Sequence, residues 1–130
     1  MILVEAKSYP EEVFSSGSQA KTVSSVERIA AALVETQKWL QVSNSVDWTG
    51  RLYQSANRLA HLHFFRSRGV PAWLVNVYFC DSPEPGRCTT RSDWERTVGD
   101  IKRELGFDPG RAVPHAGEVF LQARPRTELK

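Results

Sequence analysis

Cysteine is scarce in this chain: Cys80 and Cys88 are the only two among 130 residues, too few for the disulfide framework of a small secreted domain. An excess of one charge is lacking as well. There are 17 Lys and Arg against 15 Asp and Glu, a formal net charge of +2. That balance excludes a strong overall field for nucleic acid or an anionic membrane, so any polyanion site has to be local. Apolar runs are short. None approaches the roughly 20 residues of a membrane-spanning helix, and Ile2-Leu3-Val4 meets Glu5 and Lys7 too soon to be a signal peptide's apolar region. Internal repeats and long linkers are missing too. With 41% hydrophobic and 25% charged residues, the composition fits one small globular unit. Residues 1–130 therefore read as a single α/β domain with a polar tail from about 124 to 130, with the cytoplasm as the expected location and no membrane partner.

What is present is a clear alternation of elements. Met1 to Ser8 reads as a strand, closed by Ser8-Tyr9-Pro10, with Leu3, Glu5 and Lys7 on one face and Ile2, Val4 and Ala6 on the other. Pro10 to Thr22 is expected to be a loop. Ser24-Ser25-Val26-Glu27 matches a capping box, predicting a helix to about Gln41 with Val26, Ile29, Ala30, Leu33, Val34 and Leu40 on its apolar face. Asp47 is the expected N-cap of a second helix, from about Trp48 to Arg68, stopped by Gly69. Its predicted apolar arc holds Leu52, Tyr53, Ala56, Leu59, Ala60 and Phe64, with Arg51, Gln54, Arg58 and His61 on the other side. Ala72 to Cys80 is the strongest strand signal, apolar on both faces and so expected to be central and covered on both sides. Ser92-Asp93-Trp94-Glu95 is a second capping box, opening a helix to Leu105 that Gly106 closes. Glu118 to Ala123 makes the last strand. The order β-α-α-β-α-β predicts a central mixed sheet with helical crossovers.

Glu5-x-Lys7 is the first place to look for chemistry. A carboxylate and an ammonium two residues apart on a strand share a face, and an apolar strand that ends in two charges is costly without a use. A hard carboxylate oxygen suits Mg²⁺, and an adjacent lysine can position water and offset phosphate charge. The plain alternative is an ordinary ion pair.

Leu3-Val4-Glu5-Ala6-Lys7 resembles the (D/E)-x-K half of the PD-(D/E)XK nuclease superfamily, the restriction-endonuclease-like fold. One branch of it is more similar still, with Tyr-Gln-x-Ala-Asn-Arg-Leu-Ala-His-Leu and Val-Pro-Ala-Trp-Leu-Val, present here as Tyr53 to Leu62 and Val70 to Val75. The resemblance covers most of the chain and says nothing of substrate. It implies a restriction-endonuclease-like core and Mg²⁺-dependent phosphodiester hydrolysis of DNA. The metal would be held by Glu5 and the Ala6 carbonyl, Lys7 would position water, and Gln54 would orient it. Arg58, Arg51 and His61 would be candidate substrate contacts. The family's first acidic residue should lie upstream of Glu5, where only Met1 to Val4 stand. The expectation is therefore either an N-terminally truncated core with the missing hairpin encoded upstream, or a relative that no longer cuts and instead binds nucleic acid or a protein. Asp47 or Glu11 could replace that residue only through an unusual loop arrangement. If the hairpin is absent, Ile2 to Val4 form an exposed edge, and a homodimer through this strand is expected.

Other residues take structural readings. His63 reads as a core histidine bonded to backbone, and Cys80 as a buried strand residue. Cys80 and Cys88 with His61 and His63 have the wrong spacing for zinc. Trp39, Trp48, Trp73 and Trp94 sit where core packing explains them. Of 12 arginines, Arg66 and Arg68 suit the negative end of their helix.

Overall fold

The computed structural model describes residues 1–14, 17–82, 89–108 and 110–123; Cys88 and the tail lie outside them. The described residues form, in chain order, β1 (Ile2–Lys7), α1 (Val23–Trp39), α2 (Tyr53–Ser67), β2 (Trp73–Cys80), α3 (Arg91–Leu105) and β3 (Ala116–Gln122). The predicted order β-α-α-β-α-β is present. The sheet is not mixed. Its order is β1-β2-β3 and both pairings are parallel, because each connection runs through a helix that returns the chain to its starting end.

Parallel crossovers of one hand, in a sheet laid out in sequence order, put every helix on the same side. The burial pattern agrees. Leu74, Tyr78 and Cys80 of β2 are buried under the helices, while Trp73 is 46% exposed on the opposite face. Ile2, Val4, Val119 and Leu121 are exposed on that face too. The expectation that β2 is covered on both sides, and that Trp73 packs in the core, is therefore corrected. β2 is central, but its second face is bare among the described residues. Parallel sheets are ordinarily covered on both faces, so an apolar and uncharged surface of this kind is unusual.

Element starts differ from expectation where a better oxygen lies nearby. Thr22, not Ser24, caps α1, its Oγ1 accepting from the Ser25 amide at 3.2 Å. Thr90, not Ser92, caps α3 in a reciprocal box with Asp93. Within Pro10 to Thr22, expected to be loop, Pro10–Val13 forms a single 3₁₀ turn.

The second helix begins at Tyr53 rather than Trp48. Asp47 is no cap; it accepts from the Thr49 amide and hydroxyl. Trp48 is withdrawn from helix by burial, its indole donating to the Leu105 carbonyl at 3.0 Å and so satisfying the last turn of α3. Leu40, Val42 and Leu52 are buried beside it, and buried Gln37 donates to the Val46 carbonyl at 2.9 Å. The α1–α2 connection is thereby part of the core. The buried arc of α2 is Ala56, Leu59 and Leu62, whereas Phe64 is 48% exposed, so the predicted arc was rotated.

Gly106 ends α3 in the left-handed region, at φ 96°. A Cβ there would come within 2.8 Å of Val42 Cγ1. Gly106→Ala therefore combines backbone strain with a clash against a core residue, and a loss of about 2–3 kcal/mol is expected. Urea unfolding of the two proteins would check it.

Candidate functional site

β1 supplies two of the site's side chains and α2 the other two. Strand alternation turns Leu3, Glu5 and Lys7 toward the helices, and Lys7 is 8% exposed. A lysine that deep needs a counter-charge. Glu5 provides it, with Lys7 Nζ at 3.0 Å from Oε1. One turn apart on α2, Gln54 and Arg58 reach the same carboxylate. Gln54 Nε2 donates to Oε1 at 3.2 Å and Arg58 Nε to Oε2 at 2.7 Å. Both oxygens are thus bonded by three nitrogen donors carried on two elements.

Burial pushes the Glu5 carboxyl up, but hydrogen bonds and charge from Lys7 and Arg58 outweigh it, and the net shift is below the ordinary value of 4.5. The carboxylate is ionised, and Glu5, Lys7 and Arg58 together carry one net positive charge.

Beside them lies a void of about 20 Å³, also bordered by Ser55, Asn76 and Tyr78. That is room for one water molecule or one small ion. Asn76 is the register partner of Glu5 on β2, and Glu118 that of Asn76 on β3. A row of Glu5, Asn76 and Glu118 therefore crosses the covered face. The next row is Lys7, Tyr78 and Phe120. Burial first, and then the nearby charges of Glu118 and Glu5, hold the Tyr78 phenol protonated far above its usual range.

The residues named from sequence divide clearly. Glu5, Lys7, Gln54 and Arg58 come together. Ala6 lies on the exposed face and is not among the residues bordering the void. Arg51 is elsewhere, paired with Glu104 and lying 4.2 Å from the centre of the Phe14 ring. His61 is exposed on α2, also outside the void. Asp47 is occupied by Thr49, and Glu11 sits on the exposed 3₁₀ turn; neither borders the void. Arg66 and Arg68 donate to the Ala72 and Phe64 carbonyls, near the helix end they were expected to serve. His63 is not bonded to backbone: its Nδ1 is buried without a partner among the described residues, and its ring packs 5.0 Å from that of Trp39. Cys80 is buried and free.

Sequence reasoning missed Asn76 and Tyr78. Both stand in an apolar strand, and only the register against Glu5 marks them.

The donor set can be tested against Mg²⁺. It offers one carboxylate, already bonded by three donors and offset by two cations, and no group of three or more His, Cys, Asp or Glu able to hold a metal occurs among the described residues. Mg²⁺ is usually bound by one or two carboxylates together with water and substrate phosphate. The described residues alone do not fit a resident dication, because their charge balance opposes one. They suit an anion of one or two charges, which Arg58 and Lys7 can meet as hydrogen-bonding cations.

Comparison of the chain with protein-family models, with curated proteins and with solved structures gave no match. No described helix is long and apolar enough to cross a membrane.

Linkage fixes how acid acts on the cluster. The folded-state value of Glu5 is depressed, so its contribution to stability is complete above about pH 4.5 and disappears as pH falls through the lower folded value. The stability difference between the native protein and Glu5→Gln should therefore shrink steadily below about pH 4.5, as read from urea unfolding across a pH series.

Proposed function

We propose that this chain is a PD-(D/E)XK-like domain that binds a phosphodiester of DNA at the Glu5, Lys7, Gln54 and Arg58 cluster. The observation that carries the reading is the convergence of those four side chains from β1 and α2 on one small void. They are the positions that the family resemblance singles out together. In this reading a phosphate oxygen takes hydrogen bonds from Arg58 and Lys7, and Gln54 keeps Glu5 oriented. Glu5 holds the two cations in place and limits the site to one net positive charge. Binding then depends on a few placed residues, as the near-neutral chain requires.

Metal-dependent hydrolysis is the second reading. One observation favours it: the Asn76 amide, a hard oxygen donor, borders the same void as Glu5, so a carboxylate, an amide oxygen and a substrate phosphate could share a cation there.

Glu5→Gln separates the two. It removes the negative charge and raises the site to two positive charges, so DNA affinity should rise several-fold at low salt in fluorescence anisotropy. Arg58→Ala should lower it. If hydrolysis is the function, Mg²⁺- or Mn²⁺-dependent nicking of plasmid DNA should be measurable in the native protein and abolished by both Glu5→Gln and Lys7→Ala. An affinity unchanged by Glu5→Gln and by Arg58→Ala, with no nicking, would remove the phosphodiester assignment.

The partner side of the reading is self-association. β1 is an edge strand, paired only with β2 among the described residues, and an unpaired edge is a template for a second copy. A concentration-dependent dimer is expected in light scattering, weakened by Val4→Pro, which removes a backbone donor from that strand. A monomer at all concentrations would contradict it.

A further inference from the structure

The face of the sheet turned away from the helices carries no charged side chain. It is made of Ile2, Val4 and Ala6 on β1, the odd-numbered residues 73 to 79 on β2 and 117 to 121 on β3, and every one is apolar or glycine. Ile2, Val4, Trp73, Val119 and Leu121 are between 40% and 65% exposed. Arg66 stands at the margin, its guanidinium 5.4 Å from the centre of the Trp73 ring. An apolar centre with charge at its edge is the anatomy of a protein interface, whereas a nucleic acid or an anionic membrane calls for cations across the surface it meets.

Gly117 is out of keeping with a strand, which a glycine weakens. Its φ is not in the left-handed region, and a Cβ there would meet nothing within 4 Å. Neither the backbone nor crowding within the chain calls for glycine, and close approach from outside is the remaining reason for one in a strand interior. Beside it lies an open hollow of about 440 Å³, bordered by Trp73, Val75 and Gly117 of this face, with His115 at its end. The largest side chain standing on the face is Trp73 itself.

We infer that this face packs against the same face of a second copy of the chain, Trp73 of each copy entering the hollow beside Gly117 of the other. Across a two-fold axis a knob and a hollow on one surface satisfy each other, and a tryptophan seated in a pocket is a typical anchor of such a contact. Apolar side chains exposed to this degree present roughly 60–120 Å² each. With the partly exposed residues between them the face amounts to about 500–600 Å² per copy, so a pair buries about 1,000–1,200 Å², enough for a specific contact. A formal charge of +2 per copy opposes the approach only weakly. The Glu5 cluster lies under the helices on the opposite face, so the contact is independent of the phosphodiester reading. It also uses a different surface from pairing at the β1 edge, and the two contacts together would close as four copies.

Sedimentation equilibrium on the full chain tests this with Gly117→Glu and Val119→Lys. Each puts a charge into the middle of the contact, and each new side chain has room in the single copy, Gly117 being clear of neighbours and Val119 exposed. The two change the net charge in opposite directions, so a shared result is not an effect of overall charge. Both lie on β3, at the far side of the sheet from β1, and leave pairing at the β1 edge as it was. Each should halve the mass of the native assembly and raise its dissociation constant by about tenfold or more. Thermal melts confirm that both variants are folded. A native mass that neither substitution changes overturns the face contact and leaves the β1 edge as the site of association. A native protein that is monomeric at every concentration overturns both contacts, whether or not the face takes another partner.

Discussion

The depth at which Lys7 lies is supported by its pairing with Glu5. An ammonium under a helical layer is tolerated only beside an opposite charge and with its protons engaged, and the strand places that charge two residues away on the same face. Glu5 in turn has oxygen lone pairs to spare, and Gln54 and Arg58 take them. The pairing therefore fixes the angular setting of α2 above β1 as well as neutralising a lysine. Apolar contacts at Ala56, Leu59 and Leu62 hold that helix down, but they would accept some rotation; a carboxylate bonded from three directions does not. Replacing Lys7 by an apolar residue would relieve a desolvated charge, while replacing Glu5 would expose one, and this asymmetry is characteristic of buried ion pairs.

The sheet organises the rest. Parallel strands in sequence order put every side chain of a register row at nearly the same height, so polar residues that are far apart in the chain become neighbours. Glu5, Asn76 and Glu118 are such a row, and each carboxylate has its own cation, Lys7 with Arg58 on one side and Lys102 on the other. Asn76 and Tyr78 stand on β2 between the two pairs. An apolar strand carrying one amide at its centre is a local inconsistency, and such inconsistencies concentrate where a fold is used for something other than stability.

Much of this was legible in the residues. The alternation on β1 assigned Leu3, Glu5 and Lys7 to one face, and the spacing of Gln54 and Arg58 put them on one side of α2. What periodicity cannot express is which strand lies beside which. The parallel register, and with it the position of Asn76, depends on crossovers that fold back over about 66 residues between Lys7 and Trp73. Capping was misplaced by two residues at both α1 and α3, because Thr22 and Thr90 compete with nearby serines and the winner is decided by where the preceding backbone turns extended. Trp48 was read as helical because local propensity ignores a carbonyl 57 residues away. Arg51 and His61 were expected on one helical side with Arg58, yet Arg51 precedes α2 and pairs with Glu104 of α3, and His61 faces solvent; a helix side is broader than a site.

Two of the four tryptophans, Trp48 and Trp94, are buried with their indole nitrogens bonded to backbone carbonyls, whereas Trp73 stands on the bare face of the sheet beside Ile2. The molecule thus carries its own optical label on the bare face of its sheet. Light emitted from Trp73 comes from an indole with nearly half its surface open to water and so to collision with a dissolved quencher. That from the two buried rings is shielded. Anything that lies down on the sheet would shift the first signal to shorter wavelength and leave the others as they were.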